Sequence, residues 1–114
     1  MNEARIAIST AASLEEAERI ASALVEQHLA ACVNLVPQLK SIYRWQGEME
    51  EASEVLLIIK TTAPCLGALE STLRSLHSYS IPEFLVLDVT SGNPAYLNWI
   101  LESVTPHPTP SKSS

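Results

Sequence analysis

The pattern of apolar and polar positions first predicts an unusually long β-hairpin, whose second arm ends in the continuous apolar run 55–59 (VLLII). Its first arm runs from Cys32 to Trp45, its second from Glu48 to Ile59, and Gly47 provides the turn, since glycine accepts the positive φ of tight hairpins. Each arm holds about a dozen residues, or about 40 Å at the ~3.3 Å rise of a strand, roughly twice the usual length. A chain of 114 residues cannot cover such a ribbon with its own core, so we expect the outer part to pair with another subunit.

The pattern on either side of the hairpin predicts two further strands and three helices. The predicted strands cover 5–11 and 84–89, and the predicted helices cover about 13–31, 64–77 and 94–104. Ser13 and Glu16 have the spacing of a capping box at the start of the first helix, and Asn93 followed by Pro94 caps the last. The residues predicted to face inward at helical spacing are Ala17, Ile20, Ala21, Leu24, Val25, His28, Leu66, Leu69, Leu73, Leu76, Leu97, Ile100, Leu101 and Val104.

The resulting order, βαββαβ followed by a C-terminal helix, predicts an α+β fold of the ferredoxin-like type. In this sandwich a four-stranded antiparallel sheet carries two helices on one face. We expect one domain over residues 1–104. Residues 105–114 are rich in Pro and Ser, a composition typical of a disordered tail.

Composition excludes several classes of function. With a net charge of -6 and 7 basic residues, the chain is not expected to bind nucleic acid, which requires clustered Lys and Arg. No apolar run reaches the ~20 residues of a membrane span, and the N-terminus lacks the pattern of a signal peptide. Cys32 and Cys65 form no CxxC pair, so we expect reduced thiols in a cytoplasmic protein. The common enzymatic motifs are also absent from the sequence, so no enzyme is predicted.

Several segments resemble the CutA divalent-cation tolerance family. The segments that carry the resemblance are 30–34 (AACVN), 41–48 (SIYRWQGE), Glu54, 60–62 (KTT), 77–83 (HSYSIPE), Tyr96, Leu97 and Trp99. The resemblance covers about residues 5–104 in one collinear pass. It implies a ferredoxin-like fold related to the PII signalling proteins, a tight homotrimer formed through the long hairpin, and a link to tolerance of copper and other divalent metals. The copper ligands proposed for some members correspond here to Ser9, Leu76 and His77, of which only His77 is a metal-binding type.

The candidate metal ligands are His77, Glu83 and Cys32. An imidazole is a common ligand of copper or zinc, and a thiolate is a soft ligand for Cu(I). Each residue also has a structural interpretation. His77 can cap a helix C-terminus, Cys32 can act as a small hydrophobe in the core, and Glu83 can accept a hydrogen bond that fixes a turn at a subunit boundary.

The residues predicted at the trimer interface are Tyr43, Trp45, Tyr79 and Glu83, because aromatic side chains with a polar tip suit partly hydrated interfaces. The acidic run Glu48, Glu50, Glu51 and Glu54 is interpreted as a solvated strand face, since the ligand ladder of an EF-hand is missing.

The function predicted from these observations is that of a trimeric cytoplasmic protein linked to divalent metal tolerance, with copper or another divalent cation weakly bound. Two alternatives remain open: small-molecule sensing in clefts between subunits, as in the PII proteins, and a trimeric scaffold for protein partners.

Overall fold

The computed structural model describes residues 3–105. The described elements, in chain order, are β1 (Ala4–Ala11), α1 (Leu14–Glu26), β2 (Cys32–Trp45), β3 (Glu48–Thr62), α2 (Leu66–Leu76), β4 (Leu85–Asp88) and α3 (Pro94–Ser103). The strands form one antiparallel sheet in the order β2-β3-β1-β4. This is the ferredoxin-like α+β fold that the sequence predicts, with the extra C-terminal helix.

One face of the sheet carries the hydrophobic core. Side chains alternate between the two faces of a strand and directly paired residues share a face, so Ala7 lies beside Ile59 and Ala11 beside Val55. These strands pack against the apolar stripes of α1 and α2. The buried helical residues of this core are Ala17, Ile20, Leu24, Leu69 and Leu73, all of them predicted to face inward.

The predicted hairpin is confirmed over its whole length. β2 and β3 pair from Cys32 opposite Lys60 to Trp45 opposite Glu48. Gln46 and Gly47 make the turn, with φ of 52° and 83°. Two successive positive φ angles match the twist of the two strands that they join.

A β-bulge interrupts β2 beside Pro37. Three residue steps from Val36 to Leu39 oppose only two steps on β3. Because side chains alternate along a strand, the extra residue moves every later odd-numbered residue of β2 to the other face. Tyr43 and Trp45 therefore lie on the face of the hairpin opposite the helices.

The first helix is shorter than the sequence predicts. It ends at Glu26, not near residue 31, because His28 adopts a φ of 60° and turns the chain. Leu29 then returns to the core, where it is 1% exposed. Val25, in the last turn of α1, and His28, beyond the helix, are both exposed, so the inward placement predicted for these two side chains is wrong.

The other boundaries differ by smaller amounts. The helix predicted over 64–77 begins as a 3-10 turn over Ala63–Cys65 and continues as α2. On α3, Ile100 is buried as predicted, whereas Leu101 is 38% exposed, so its inward placement is wrong.

The predicted tail, 105–114, lies outside the described residues except for Thr105. That residue donates its backbone N–H to the carbonyl oxygen of His28 at 2.9 Å. Between residues 3 and 105 no helix combines the length and the apolar character needed to cross a bilayer.

The face of the sheet opposite α1 and α2 leaves apolar side chains uncovered. Leu85 and Leu87 on β4 are 59% and 49% exposed, and Val36 on β2 is 43% exposed. They share a face because Leu85 pairs with Ile8 and Leu87 with Ile6. We call this surface the open sheet face. Large apolar patches are typical of surfaces through which proteins interact.

A buried carboxylate joins the start of α1 to the segment after α2. The Ser13 hydroxyl accepts the backbone N–H of Glu16 at 3.1 Å, as predicted. The Glu16 side chain reaches Ala12 and not Ser13: Oε1 accepts the Ala12 N–H at 3.2 Å, while the two oxygens accept the backbone N–H and the hydroxyl of Ser78 at 2.6 and 3.1 Å. Burial opposes its charge, but these hydrogen bonds and the nearby His77 ring lower the pKa of Glu16 overall.

Replacing Glu16 with Ala should lower the free energy of unfolding by about 2 to 4 kcal/mol, because it leaves the backbone N–H groups of Ala12 and Ser78 without their hydrogen-bond acceptor. The matched change Glu15→Ala, at an exposed position one residue away, should cost less than about 1 kcal/mol. Urea denaturation at pH 7 measures both.

The pH dependence gives a second measurement for the same pair of variants. Since the pKa of Glu16 is lowered below its ordinary value of 4.5 on folding, its ionised form contributes stability above that pH, and the contribution is lost as the pH falls. The difference in free energy of unfolding between Glu16→Ala and the parent protein should therefore become smaller as the pH is lowered. A difference that stays constant down to pH 3 would contradict the assignment.

Candidate functional site

A cleft of about 410 Å³ lies between the outer part of the hairpin and the segment that follows α2. It exists because the bulge in β2 turns Tyr43 and Trp45 towards the face of the hairpin that carries Glu54. Its lining residues are Thr10, Tyr43, Trp45, Glu54, Tyr79, Ser80, Ile81 and Glu83. We call it the aromatic cleft. All four residues predicted at the trimer interface, Tyr43, Trp45, Tyr79 and Glu83, lie in its wall.

Glu54 fixes the geometry of this wall. Its Oε1 accepts the Ser41 hydroxyl at 2.6 Å and its Oε2 accepts the Tyr79 hydroxyl at 2.7 Å. Burial, reinforced by the hydrogen bond to Glu54 and by its negative charge, raises the pKa of Tyr79 to about 12. The tyrosine therefore stays protonated and remains a donor to the carboxylate throughout the neutral range.

Glu83 is the second carboxylate of the cleft. Partial burial, together with the negative charge of Glu54, raises its pKa. Its backbone carbonyl oxygen accepts the hydroxyl of the buried Ser9 at 2.7 Å. Glu83 is thus anchored to β1 through its main chain, and its side chain lies in the cleft with Glu54.

His77 is held inside the protein by both of its ring nitrogens. Nδ1 accepts the backbone N–H of Tyr79 at 3.1 Å, so the proton of the neutral ring is on Nε2, which donates to the carbonyl oxygen of Thr10 at 2.7 Å. The side chain is 0% exposed, and Nδ1 lies 3.8 Å from the Glu16 carboxylate. Its ring also packs on Tyr79 at a centroid distance of 4.8 Å. A metal ion at His77 has to displace one of the two hydrogen bonds.

Cys32 lies apart from the cleft. It pairs across the hairpin with Lys60, whose Nζ is 4.0 Å from Cys32 Sγ and also donates to Asn34 Oδ1. Ser9, which contacts Glu83 beside the cleft, pairs with Leu57 on β3. Lys60, the partner of Cys32, lies three residues further along β3, which is about 10 Å along the strand.

The three predicted metal ligands are thus not brought into one cluster. His77 and Glu83 meet the same end of β1, through Thr10 and Ser9 respectively, and Cys32 lies elsewhere on the sheet. Among residues 3–105, no group of three or more His, Cys, Asp or Glu side chains is arranged to hold a metal ion. The role of these residues as ligands stays a prediction.

The position of Glu54 differs from the one that the sequence predicts. The acidic run was interpreted as a solvated strand face, but Glu54 faces the cleft and is only partly exposed. The available signal was Pro37, since a proline inside a strand often accompanies a bulge and a bulge changes which residues share a face.

The pKa of Tyr79 provides a direct test of this geometry. In protein labelled with ¹³C at tyrosine Cζ, the resonance that disappears in Tyr79→Phe should titrate with a pKa of about 12. Glu54→Gln should move that pKa down towards the ordinary value of 10.0, because it removes the negative charge. Glu51→Gln, the same change on the opposite face of β3, should leave it unchanged. Equal effects of the two variants would show that Tyr79 does not donate to Glu54.

Comparison with known proteins identifies the family of this chain. The CutA1 divalent ion tolerance protein family matches residues 5–103. The divalent-cation tolerance protein CutA of Thermus thermophilus is 48% identical over 98 residues, which make up 86% of this chain and 95% of that protein. Protein CutA of Mus musculus is 52% identical over 74% of this chain, which spans only 48% of the mouse protein.

Comparison of the fold with solved structures leads to the same family. The crystal structure of CutA from Xylella fastidiosa superposes with a TM-score of 0.89 at 39% identity, covering 91% of this chain and all of that one. Together, the family match, the identities and the shared fold show that the chain belongs to the CutA1 divalent ion tolerance protein family.

Proposed function

We propose that this protein acts in divalent-cation tolerance as a cytoplasmic, non-catalytic homotrimer that binds copper or another divalent cation weakly. The open sheet face is the observation that carries the trimer. Leu85 and Leu87 leave apolar surface on the side of the sheet opposite α1 and α2, and burying such surface stabilises at roughly 25 cal/mol per Å². The free thiols of Cys32 and Cys65 favour a reducing compartment.

The outer hairpin supports the same assembly. β1 accompanies β3 only from Thr62 to Val55, so the stretch from Glu48 to Glu54 pairs with β2 alone among the described strands. Unpaired strand edges form hydrogen bonds with another chain unless they are blocked. We propose that a second subunit pairs there, and that Tyr43, Trp45, Tyr79 and Glu83 border the neighbouring subunit.

Weak metal binding follows from the residues near the proposed ligands. Tight copper binding needs more than one good donor. Both ring nitrogens of His77 already form hydrogen bonds. The Ser9 hydroxyl is a poor metal donor, and Leu76 has no donor atom. Glu83 is the nearest carboxylate at that end of β1. Water or a neighbouring subunit has to complete the coordination.

A second candidate function is small-molecule sensing, and the aromatic cleft favours it. Its volume of about 410 Å³ lies within the range of small-molecule sites, about 300–1,000 Å³. In this interpretation each subunit of the trimer offers one cleft at a subunit boundary.

The trimer predicts a definite solution mass. Light scattering at micromolar concentration should give about three times the chain mass of 12.4 kDa. Leu87→Glu, which places a charge on the open sheet face, should reduce the mass to that of the monomer. The control Val25→Glu changes an apolar residue that is 41% exposed on α1 and should leave the trimer intact. A parent protein that is monomeric at this concentration contradicts the proposal.

The metal proposal predicts weak Cu(II) binding that depends on His77. Calorimetric titration should show that His77→Ala abolishes the binding, whereas the control His28→Ala, at an exposed histidine, should leave it unchanged. Cys32→Ser should mainly lower stability. The double change Ser9→Cys with Leu76→His should strengthen binding at least ten-fold without altering the trimer, because it supplies a thiolate and a second imidazole. Tight binding that survives His77→Ala would place the site elsewhere.

A further inference from the structure

We propose that the aromatic cleft binds a small organic cation, in which an ammonium group is carried on a compact apolar body. The inference goes beyond metal tolerance and does not depend on any metal site. It rests on the composition of the cleft wall, in which aromatic rings and carboxylates occur together.

The walls favour an apolar body. Tyr43 and Trp45 line one side of the cleft and Tyr79 lines the opposite side, and indole and phenol rings gain from burial. A positively charged group near such rings is attracted by their quadrupoles, by about 0.5 to 2 kcal/mol depending on desolvation. Ile81, which is 76% exposed, adds aliphatic surface at the rim.

The charge of the cleft selects the sign of the ligand. Glu54 and Glu83 both line it, and within one subunit none of its lining residues, all of which the structure describes, is Lys or Arg. An anionic ligand would meet two carboxylates without a compensating cation. The field of a cleft lined by one sign of charge concentrates ions of the opposite sign, so a cation is the matching ligand.

The arrangement of the carboxylates favours an organic cation over a bare metal ion. Calcium and magnesium need about six or more converging oxygen ligands. Here both oxygens of Glu54 already accept hydrogen bonds, from Ser41 and Tyr79, which leaves Glu83 as the carboxylate to make direct contact. One or two carboxylates beside aromatic rings suit a diffuse ammonium charge, which is less strongly hydrated than a divalent ion.

A substitution of Glu83 distinguishes a role in cation binding from a purely structural role. Glu83 is exposed and lines the cleft together with Glu54, so Glu83→Gln, which removes the repulsion between the two carboxylates, should leave the melting temperature at pH 7 almost unchanged. The same change removes a ligand contact and should weaken cation binding. A residue that only supports the fold would show a loss of stability together with any loss of binding.

The experiment uses the full chain with choline chloride as the probe and 3,3-dimethylbutan-1-ol as its uncharged isostere, at constant ionic strength. Binding is followed by ¹H–¹⁵N NMR, with light scattering on the same samples. Choline should shift the amides of Glu54, Tyr79, Ser80 and Ile81 and bind at least ten-fold more tightly than the alcohol.

Two pairs of variants locate the site. Glu54→Gln and Trp45→Leu should each weaken choline binding at least ten-fold. Their controls, Glu51→Gln on the opposite face of the hairpin and Trp99→Leu on α3, should leave binding unchanged. Glu54→Gln keeps an oxygen that can accept the Tyr79 hydroxyl, so it preserves the fold.

Three results would overturn the inference: equal affinity for choline and the alcohol, binding that survives both cleft variants, or no shift of the cleft amides by choline in an intact trimer. None of these results bears on the metal titration or on the mass of the assembly, so the proposed function is tested separately.

Discussion

The buried carboxylate of Glu16 is the interaction on which the functional end of this molecule depends. It ties the first turn of α1 to Ser78, directly after α2, and lies beside the ring of His77. His77 in turn binds the carbonyl oxygen of Thr10 on β1 and the backbone of Tyr79. The chain of contacts ends at the Tyr79 hydroxyl on Glu54. A helix, a central strand, a loop and the hairpin are thus joined through polar groups that would be costly to leave unpaired.

The fold was predictable because its signals are local and periodic. The continuous apolar run 55–59 and the helical spacing of Leu69 and Leu73 each depend on a short stretch of chain. The end of α1 was not predictable in the same way, because Val25 and His28 continue the helical pattern while the left-handed turn at His28 breaks the helix. A non-glycine residue with positive φ carries little signal in a single sequence.

The site was less predictable than the fold because its contacts join distant segments. His77 was identified by its chemical type, which suits both a ligand and an internal connection, and the structure shows the connection to Thr10 and Tyr79. Glu54 was placed with exposed glutamates because its neighbours in sequence are exposed. Its partner Tyr79 is 25 residues away, and the bulge beside Pro37 determines which hairpin residues face it. The spacing of residues along the sequence indicates neither the contact between Glu54 and Tyr79 nor the face on which the hairpin residues lie.

The distribution of charge is compatible with the proposed trimer, because it would let a long hairpin assemble without aggregating. Glu48, Glu50 and Glu51 occupy the outer part of β3, where the strand lacks a second partner among the described strands. Their mutual repulsion opposes open-ended stacking of identical edges, whereas a closed ring satisfies each edge once and leaves none to extend. In the proposed trimer, the apolar side chains of the open sheet face would stabilise such a ring, and the acidic hairpin would limit its growth. Glu48 and Glu50, which share the face of Glu54, also keep the approach to the aromatic cleft negative, so two of the charges that would restrict assembly also bias the cleft towards cations.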